Sequence, residues 1–486
     1  MSVTYARCIA SLNRSAVLVL AIFALYGCAG TPMPHEPLLS FEVPATWSAA
    51  PDAKLNRATS LVAWWQRFDD PLLSKLVTHA MLNNTDVNTS QALLRQALAV
   101  RDVAAAALLP SLDVSASAQH ATSGGKSLGN TFQAGFNANW VPDIFGFNRY
   151  ALNAADVAAL SSAASLGDVQ VSIAAEVGLS YITLRSAQLR LAIAVENLAS
   201  QEETLQITQW RQQAGLVTDL EVAQERTLAE QTRATLPVLQ TTIEQTRHVL
   251  AVLTGQPPRV LDAFLATAGP IPQAEADLSL NIPVEALRQR ADVRAAELNV
   301  TAALARVAQA DAARMPSFAL GGSLGLSALT LGTLTSSAAV MSSLIASMTA
   351  PIFDGGVAKA QLRSQLAAFD QARLAYQATV LAALKDVEDA LIALQDDHQR
   401  QLSLRSAEDA ATTASLLARQ RYSSGLVDFQ VVLETQRTQL NAQDSVANAS
   451  ADVSADHVRL YKALGGGWRP AAVTIPETNA IGTSTP

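Results

Sequence analysis

Two long stretches of this chain contain no proline. One runs from Phe147 to about Gln213 and the other from Val357 to about Ser424. Alanine is abundant in both, which favours helix and lets neighbouring helices approach closely. At ~1.5 Å per residue, each stretch predicts a helix about 100 Å long. A compact domain does not contain such an element, so the predicted shape is a rod or tube. Apolar residues recur at every seventh position in three places: Leu184, Leu191, Leu198 and Leu205; Val222, Ala229, Leu236, Ile243 and Leu250; and Val446, Val453 and Leu460. That spacing makes helices supercoil against neighbours. Pro237 interrupts one run and is expected to bend that helix or start a new one.

The long stretches belong to a duplicated plan. Each half has a helical segment ending in proline, an alternating charge-poor stretch, a Pro/Phe/Gly turn, a very long helix, a short glycine break and a second long helix. The separations agree. They are 206 residues from Pro110 to Pro316, 209 from Pro142 to Pro351, and 210 from Gly215 to Gly425 and from Gly255 to Gly465. The first half covers residues 59–255, with a hairpin at about 111–141 and long helices at about 146–213 and 218–254. The second covers 284–466, with a hairpin at about 317–352 and long helices at about 356–423 and 428–464. The connector, 256–283, holds five prolines and no apolar period, and reads as a surface crossing. The C-terminal tail is 467–486, and the stretch after Trp468 reads as loosely ordered.

Residues 131–141 alternate with period two. Phe132, Ala134, Phe136, Ala138 and Trp140 share one face; Thr131, Gln133, Gly135, Asn137 and Asn139 share the other. Residues 111–119 alternate likewise, and His120 to Asn130 reads as the hairpin loop between them. In the second half, Phe318, Leu320, Leu324 and Leu326 line one strand face, and Leu344, Ala346, Met348, Ala350 and Ile352 another. No charged residue occurs from Met315 to Phe353, so a membrane helix is the rival reading. Glycine, serine and threonine dominate there, and no unbroken apolar core of ~20 residues exists. Strands of ~9–11 residues with one apolar face fit an outer-membrane barrel. Four strands cannot close, and an open edge in lipid leaves backbone groups unpaired. Several chains must therefore pool strands: two would give eight, three would give twelve.

The N-terminus carries Arg7 and Arg14, then the apolar run Ser15 to Gly27, which reads as a secretory signal over 1–27. Leu25-Tyr26-Gly27-Cys28 resembles a bacterial lipobox, with Tyr26 departing from the usual small residue. Cys28 is thus the candidate lipidation site, and 28–58 an extended lipidated segment. Removing 1–27 leaves 32 basic and 42 acidic residues. The full chain is 49% hydrophobic and 16% charged with net charge −8. That excludes a disordered chain and a basic nucleic-acid footprint. The two cysteines, Cys8 and Cys28, leave no disulfide framework for the body of the chain.

These features together resemble the TolC family of outer-membrane channels, most of all its OprM-type, NodT-like lipoprotein branch. The resemblance rests on Leu25–Cys28, Trp64-Trp65-Gln66-Arg67-Phe68-Asp69-Asp70-Pro71, Asp143-Ile-Phe-Gly146, Ala350-Pro-Ile-Phe-Asp-Gly-Gly356, Tyr422-Ser-Ser-Gly-Leu-Val-Asp428, Val432-Leu-Glu-Thr-Gln-Arg437 and Tyr461-Lys-Ala-Leu-Gly-Gly-Gly-Trp468. It spans about 60–468. It implies a mainly α fold with a small β-barrel portion. Duplicated helix hairpins would form a trimeric periplasmic tube, capped by a 12-stranded barrel with four strands from each chain. It also implies a homotrimer partnered by a periplasmic adaptor, an inner-membrane transporter of the RND class and outer-membrane lipid.

No catalytic constellation is present. The six histidines are scattered, Lys385-Asp-Val-Glu-Asp389 reads as a solvated helix face, and the glycine pairs lack a phosphate-loop context. No cofactor, metal or nucleic acid is implied. The glycine breaks mark the tube end away from the barrel, where glycine suits a left-handed turn. In the resembling family this end holds the constriction, with acidic and arginine residues just past the turn. The matching positions are Glu221 in the first half and Gln430, Glu434 and Arg437 in the second. Threefold repetition would turn one acid into a carboxylate ring that favours cations. The turns themselves, Gly215-Leu216-Val217 and Gly425-Leu426-Val427, are the expected adaptor contacts. The leading reading is a passive efflux duct for small molecules. The alternatives are a duct for type I protein secretion, a metal-ion duct and a pore-free envelope lipoprotein.

Overall fold

The computed structural model describes residues 39–48, 61–274 and 283–469. The signal segment and Cys28 lie outside the described residues. The elements in chain order are α1 (Pro71–Asn83), α2 (Thr85–Ala106), β1 (Ser111–Ser123), β2 (Lys126–Trp140), α3 (Phe147–Gln213), α4 (Asp219–Leu253), α5 (Asp262–Leu265), α6 (Pro283–Gln289), α7 (Ala291–Ala312), β3 (Ser317–Ala328), β4 (Val340–Thr349), α8 (Val357–Ser423) and α9 (Phe429–Ala463). A short 3-10 turn, Trp64–Phe68, precedes α1.

Both very long helices start on an aspartate. Asp143 accepts from the backbone N–H of Asn148 (3.2 Å) and Arg149 (2.8 Å) at the head of α3. Asp354 accepts from Gly356 and Ala358, each at 2.8 Å, at the head of α8. Such a carboxylate satisfies the orphan donors of a first helical turn. Their ends are also built alike. Leu216 N–H reaches Arg211 C=O at 2.8 Å while Gly215 N–H reaches Gln212 C=O at 2.9 Å; Leu426 and Gly425 repeat this onto Arg421 and Tyr422. These are Schellman stops, and they require the positive φ seen at Gly215 (74°) and Gly425 (70°).

The described residues form two compact units, each assembled from both sequence halves: residues 96–160 with 297–376, and 41–48 and 61–95 with 161–274, 283–296 and 377–469. The first unit carries the sheet, antiparallel in the order β1-β2-β3-β4. Residues 315–353 are therefore strands and turns, not a membrane helix. The β1–β2 connection is shorter than expected. His120 pairs with Asn130 inside the ladder, and only Gly124-Gly125 turn the chain. Their φ angles of 57° and 78° suit the two-residue hairpin turn that matches strand twist, so the strands extend through what reads as a loop. The halves meet at β2–β3, where Gly135 faces Gly325. A Cβ at Gly135 would lie 2.7 Å from the Gly325 Cα, so the strands approach too closely for any side chain there. Residues paired across strands share a face, and one face holds Leu112, Val114, Phe136, Leu324, Leu344 and Met348, all exposed. The other carries a polar row in which Asn137 donates to Ser115 Oγ (2.9 Å) and Ser323 bonds Ser343 (2.8 Å). Below the sheet residues, Val300, Ala303 and Val307 of α7 pack on Leu362 and Phe369 of α8.

The second unit holds the main core: Trp64, Phe68, Leu73, Val77, Val177, Tyr181, Leu184, Leu250, Val458 and Tyr461 are among its residues. Two glycines inside α3 are aromatic seats. A Cβ at Gly178 would lie 2.9 Å from Trp64 Cη2, and one at Gly167 2.6 Å from Trp468 Cε3. Helix α3 has an apolar window long enough to cross a membrane by composition, yet 44% of it is buried in the protein.

The structure also bears on three further expectations. Helix α4 runs unbroken through Pro237, so of the two outcomes expected there no new helix starts. Its buried stripe of Leu228, Ala229, Leu239, Ile243 and Leu250 continues past the proline on both sides and holds the helix. The connector is not only a surface crossing, because α5 and its flanks bury Leu261, Leu265 and Ile271 in the core. Trp468, just before the stretch read as loosely ordered, is packed against Val171 and Ala291 and donates to Gln289 C=O at 2.8 Å; residues 470–486 lie outside the described residues.

Candidate functional site

The two glycine turns cap the helix hairpins α3–α4 and α8–α9, and both belong to the second unit. Leu216 and Leu426 are 72% and 74% exposed at their tips. Gly215 and Gly425 are also exposed, while Val217 and Val427 are half-buried. An exposed leucine at the same place in each turn is apolar surface that the chain itself leaves uncovered. The turns are tied together: the Arg211 guanidinium lies over the Tyr422 ring, 4.6 Å from its centroid, and reaches Ser423 C=O at 3.5 Å. Tyr422 in turn packs on Phe429, centroids 5.2 Å apart, above Leu228, Val432 and Leu433.

Glu221 is already employed. Its carboxylate accepts from Thr218 N–H at 2.6 Å and Thr218 Oγ1 at 3.2 Å, closing the N-terminus of α4. The sequence Thr218-Asp-Leu-Glu221 is a capping signature, and that reading of Glu221 was open from sequence alone. Gln430, Glu434 and Arg437 form an exposed row on α9 at i, i+4 and i+7. Neither Glu434 nor Arg437 has an ion pair within the chain among the described residues. The structure thus groups the second-half residues on one face of α9, while the Glu221 carboxylate is engaged in its cap on α4.

Sequence patterns missed the contacts that hold α9 to α3. Arg190 pairs with Asp444 through both carboxylate oxygens at 2.6 and 3.2 Å. Asn197 donates to Gln443 at 2.7 Å, Gln436 donates to Thr204 Oγ1 at 3.1 Å, and Arg419 of α8 donates to Ser200 Oγ at 2.9 Å. Glu225 was missed too. It is fully buried on α4, and burial alone pushes its carboxyl up to about 7. A polar residue three positions before Leu228 on the heptad face was the available signal. Among the described residues no group of three or more histidine, cysteine or acidic residues could hold a metal.

A family model described as outer membrane efflux protein matches residues 76–256 and 282–466. The chain belongs to the outer membrane efflux protein family. The pyoverdine export outer membrane protein OpmQ of Pseudomonas putida is 32% identical over 479 residues, covering 96% of this chain and all of that relative. Nodulation protein T of Rhizobium leguminosarum bv. trifolii is 29% identical, covering 92% and 96%. The outer-membrane channel OprN superposes with a TM-score of 0.84 at 33% identity over 90% of this chain and 99% of that one. The open-state MtrE channel of Neisseria gonorrhoeae gives 0.81 at 27% identity over 90% and 98%. These are TolC-like channels, and the chain is an outer-membrane efflux channel. The membership supplies the missing solvent for the sheet: in an outer membrane its uncovered apolar face meets hydrocarbon. The two matched segments also bracket the two sequence halves.

Proposed function

We propose that three copies of this chain form the exit duct of a tripartite efflux pump that conducts small molecules passively. The four-stranded sheet carries this reading. Among the described residues its edges, β1 and β4, have no neighbouring strand, and one face is apolar and uncovered. In lipid those edges must be paired, and three chains supply twelve strands. Relatives named for pyoverdine export and for toluene and solvent efflux support small organic cargo. A conduit of this kind needs no catalysis of its own. The energy comes from an inner-membrane transporter of the RND class, joined through a periplasmic adaptor. The exposed leucine turns, Gly215-Leu216-Val217 and Gly425-Leu426-Val427, are the adaptor contacts in this reading, and a lipidated Cys28 adds a membrane anchor.

The exposed row Gln430, Glu434 and Arg437 is the proposed constriction, with Glu221 bordering it. Three copies place three carboxylates and three guanidinia around one axis, where they favour cations and can hold the mouth shut through mutual contacts. Single-particle imaging of full-length protein in mild detergent tests the duct. A threefold tube with a membrane-sized belt at one end is expected; monomers or dimers without a channel would refute it. Replacing both Glu434→Ala and Arg437→Ala should raise single-channel conductance in planar bilayers. Unchanged conductance removes this row from the gate.

A further inference from the structure

Glu225 lies on α4, ten residues past Gly215. It is 0% exposed, and neither carboxylate oxygen has a hydrogen-bond partner. It shares a face with Leu228, Ala229 and Thr232, all buried. That face packs on α9, where Leu228 joins Phe429, Val432 and Leu433, with Ala418 of α8. The charged groups on the packed elements make no hydrogen bond to Glu225. On α4 itself, Glu221 is bound to Thr218, Arg226 is exposed, and Glu230 is paired with Arg233. On α3, Arg211 is spent on Tyr422 and Ser423, and Glu202 on Arg233. On α8, Arg419 gives Nη1 to Ser200 while its buried Nε bonds nothing, Arg421 is exposed, and the buried Tyr422 hydroxyl bonds nothing. On α9, Glu434 and Arg437 are exposed. None of these groups bonds Glu225.

A carboxylate buried without a partner is costly, whereas the neutral acid is far less so. We propose that Glu225 is a proton-operated latch: as the neutral acid it lets α4 seat against α9, and as the carboxylate it drives the turn ends of the two hairpins apart. The latch goes beyond the duct reading, because it concerns packing within one chain. Its pH window follows from the two states. Separated and solvated, the group titrates near 4.5; packed, burial holds it up to about 7. Packing is therefore at full strength below 4.5, weakens as pH rises between the two values, and stays weak above 7. Between pH 5 and pH 7.5 the opening equilibrium rises on the order of 50-fold.

Native-state hydrogen exchange on the full-length protein in detergent tests this, read on peptides covering 219–232 and 429–440 and corrected for intrinsic rates. The wild type should open on the order of 50-fold more at pH 7.5 than at pH 5. Glu225→Gln should be flat across that range. Glu225→Met, which fills the space without a charge, should also be flat and should open less. A wild type with no pH dependence, or variants that retain it, would overturn the latch. Conductance is scored separately. Exchange that follows pH while conductance does not would support the latch and refute the turns as the mouth.

Discussion

Arg190 and Asp444 make the contact through which opening of the second hairpin should be most easily loosened. The pair is bidentate, at 2.6 and 3.2 Å, and joins α3 to α9 with side chains 33% and 38% exposed. Exposed pairs contribute ~0.2–1 kcal/mol, and a two-point geometry belongs at the upper end, about 1 kcal/mol in each chain. In the proposed trimer, concerted opening would break three such pairs, about 3 kcal/mol, or roughly a 100-fold shift at 1.4 kcal/mol per decade. Arg190→Ala does not strand Asp444, which still accepts from Asn448 at 3.1 Å and is partly solvated. The expected result is a large rise in open probability in planar bilayers for Arg190→Ala and for Asp444→Ala. The double variant should add little, because both singles remove the same interaction. Raising salt from about 0.1 to 1 M should mimic part of the effect, since the Debye length falls from ~10 to ~3 Å. Lys385→Ala is the control: its pair with Asp389 is 71% and 61% exposed and lies within one helix, so no change is expected. Strictly additive singles, or an unchanged open probability in Arg190→Ala, would refute the reasoning.

Two further substitutions probe the core that anchors the hairpins. The Tyr181 hydroxyl donates to Asp70 Oδ2 at 2.8 Å and accepts from Arg185 Nε and Nη2 at 3.0 and 2.8 Å. Tyr181→Phe leaves a buried guanidinium short of an acceptor and should cost about 2 kcal/mol, read as a lowered Tm. Because burial and Asp70 push the phenol up to about 12, the loss should be the same at pH 6 and pH 9; a pH-dependent loss would refute this assignment. Gly178→Ala should also lower Tm, although alanine is the better helix former by ~1 kcal/mol. Its Cβ would sit 2.9 Å from Trp64, and overpacking of this kind costs ~1–3 kcal/mol. A higher Tm would show that the tryptophan yields.

What was legible in the sequence was whatever repeats along it. The period-two stretches appear as strands, and the proline-free stretches as helices of 67 residues each, because periodicity and breakers are local signals. The glycine stops at 215 and 425 were legible for the same reason. Cross-chain geometry was not. The Gly124-Gly125 turn hid inside a loop-like run of glycine and serine, since two residues decide it and their neighbours merely pair. Gly167 and Gly178 look like weak points of a helix until the tryptophans that fill them, 301 and 114 positions away, are placed. In the candidate site, the exposed row on α9 follows from spacing. The capping role of Glu221 was readable yet overshadowed, and the Arg190–Asp444 pair spans 254 residues with no periodic mark.

The same contrast explains how one hairpin can be both anchored and releasable. Toward its C-terminal end α9 contributes Val458 and Tyr461 to the large core around Trp64, where separation would expose apolar surface at ~25 cal/mol per Å². Nearer the turn its links to α3 are Asp444, Gln443 and Gln436. Polar contacts exchange for water at a net cost of ~0.5–1.5 kcal/mol each, so this stretch can part without unfolding the anchor. Gln201 and Ser415 strengthen the point: both are buried on the facing helices with side-chain atoms that bond nothing. Groups of that kind lose nothing, and gain water, when the hairpins separate. The large cluster around Trp64 anchors one end of the hairpin, and the polar stretch from Gln436 to Asp444 is where it can part.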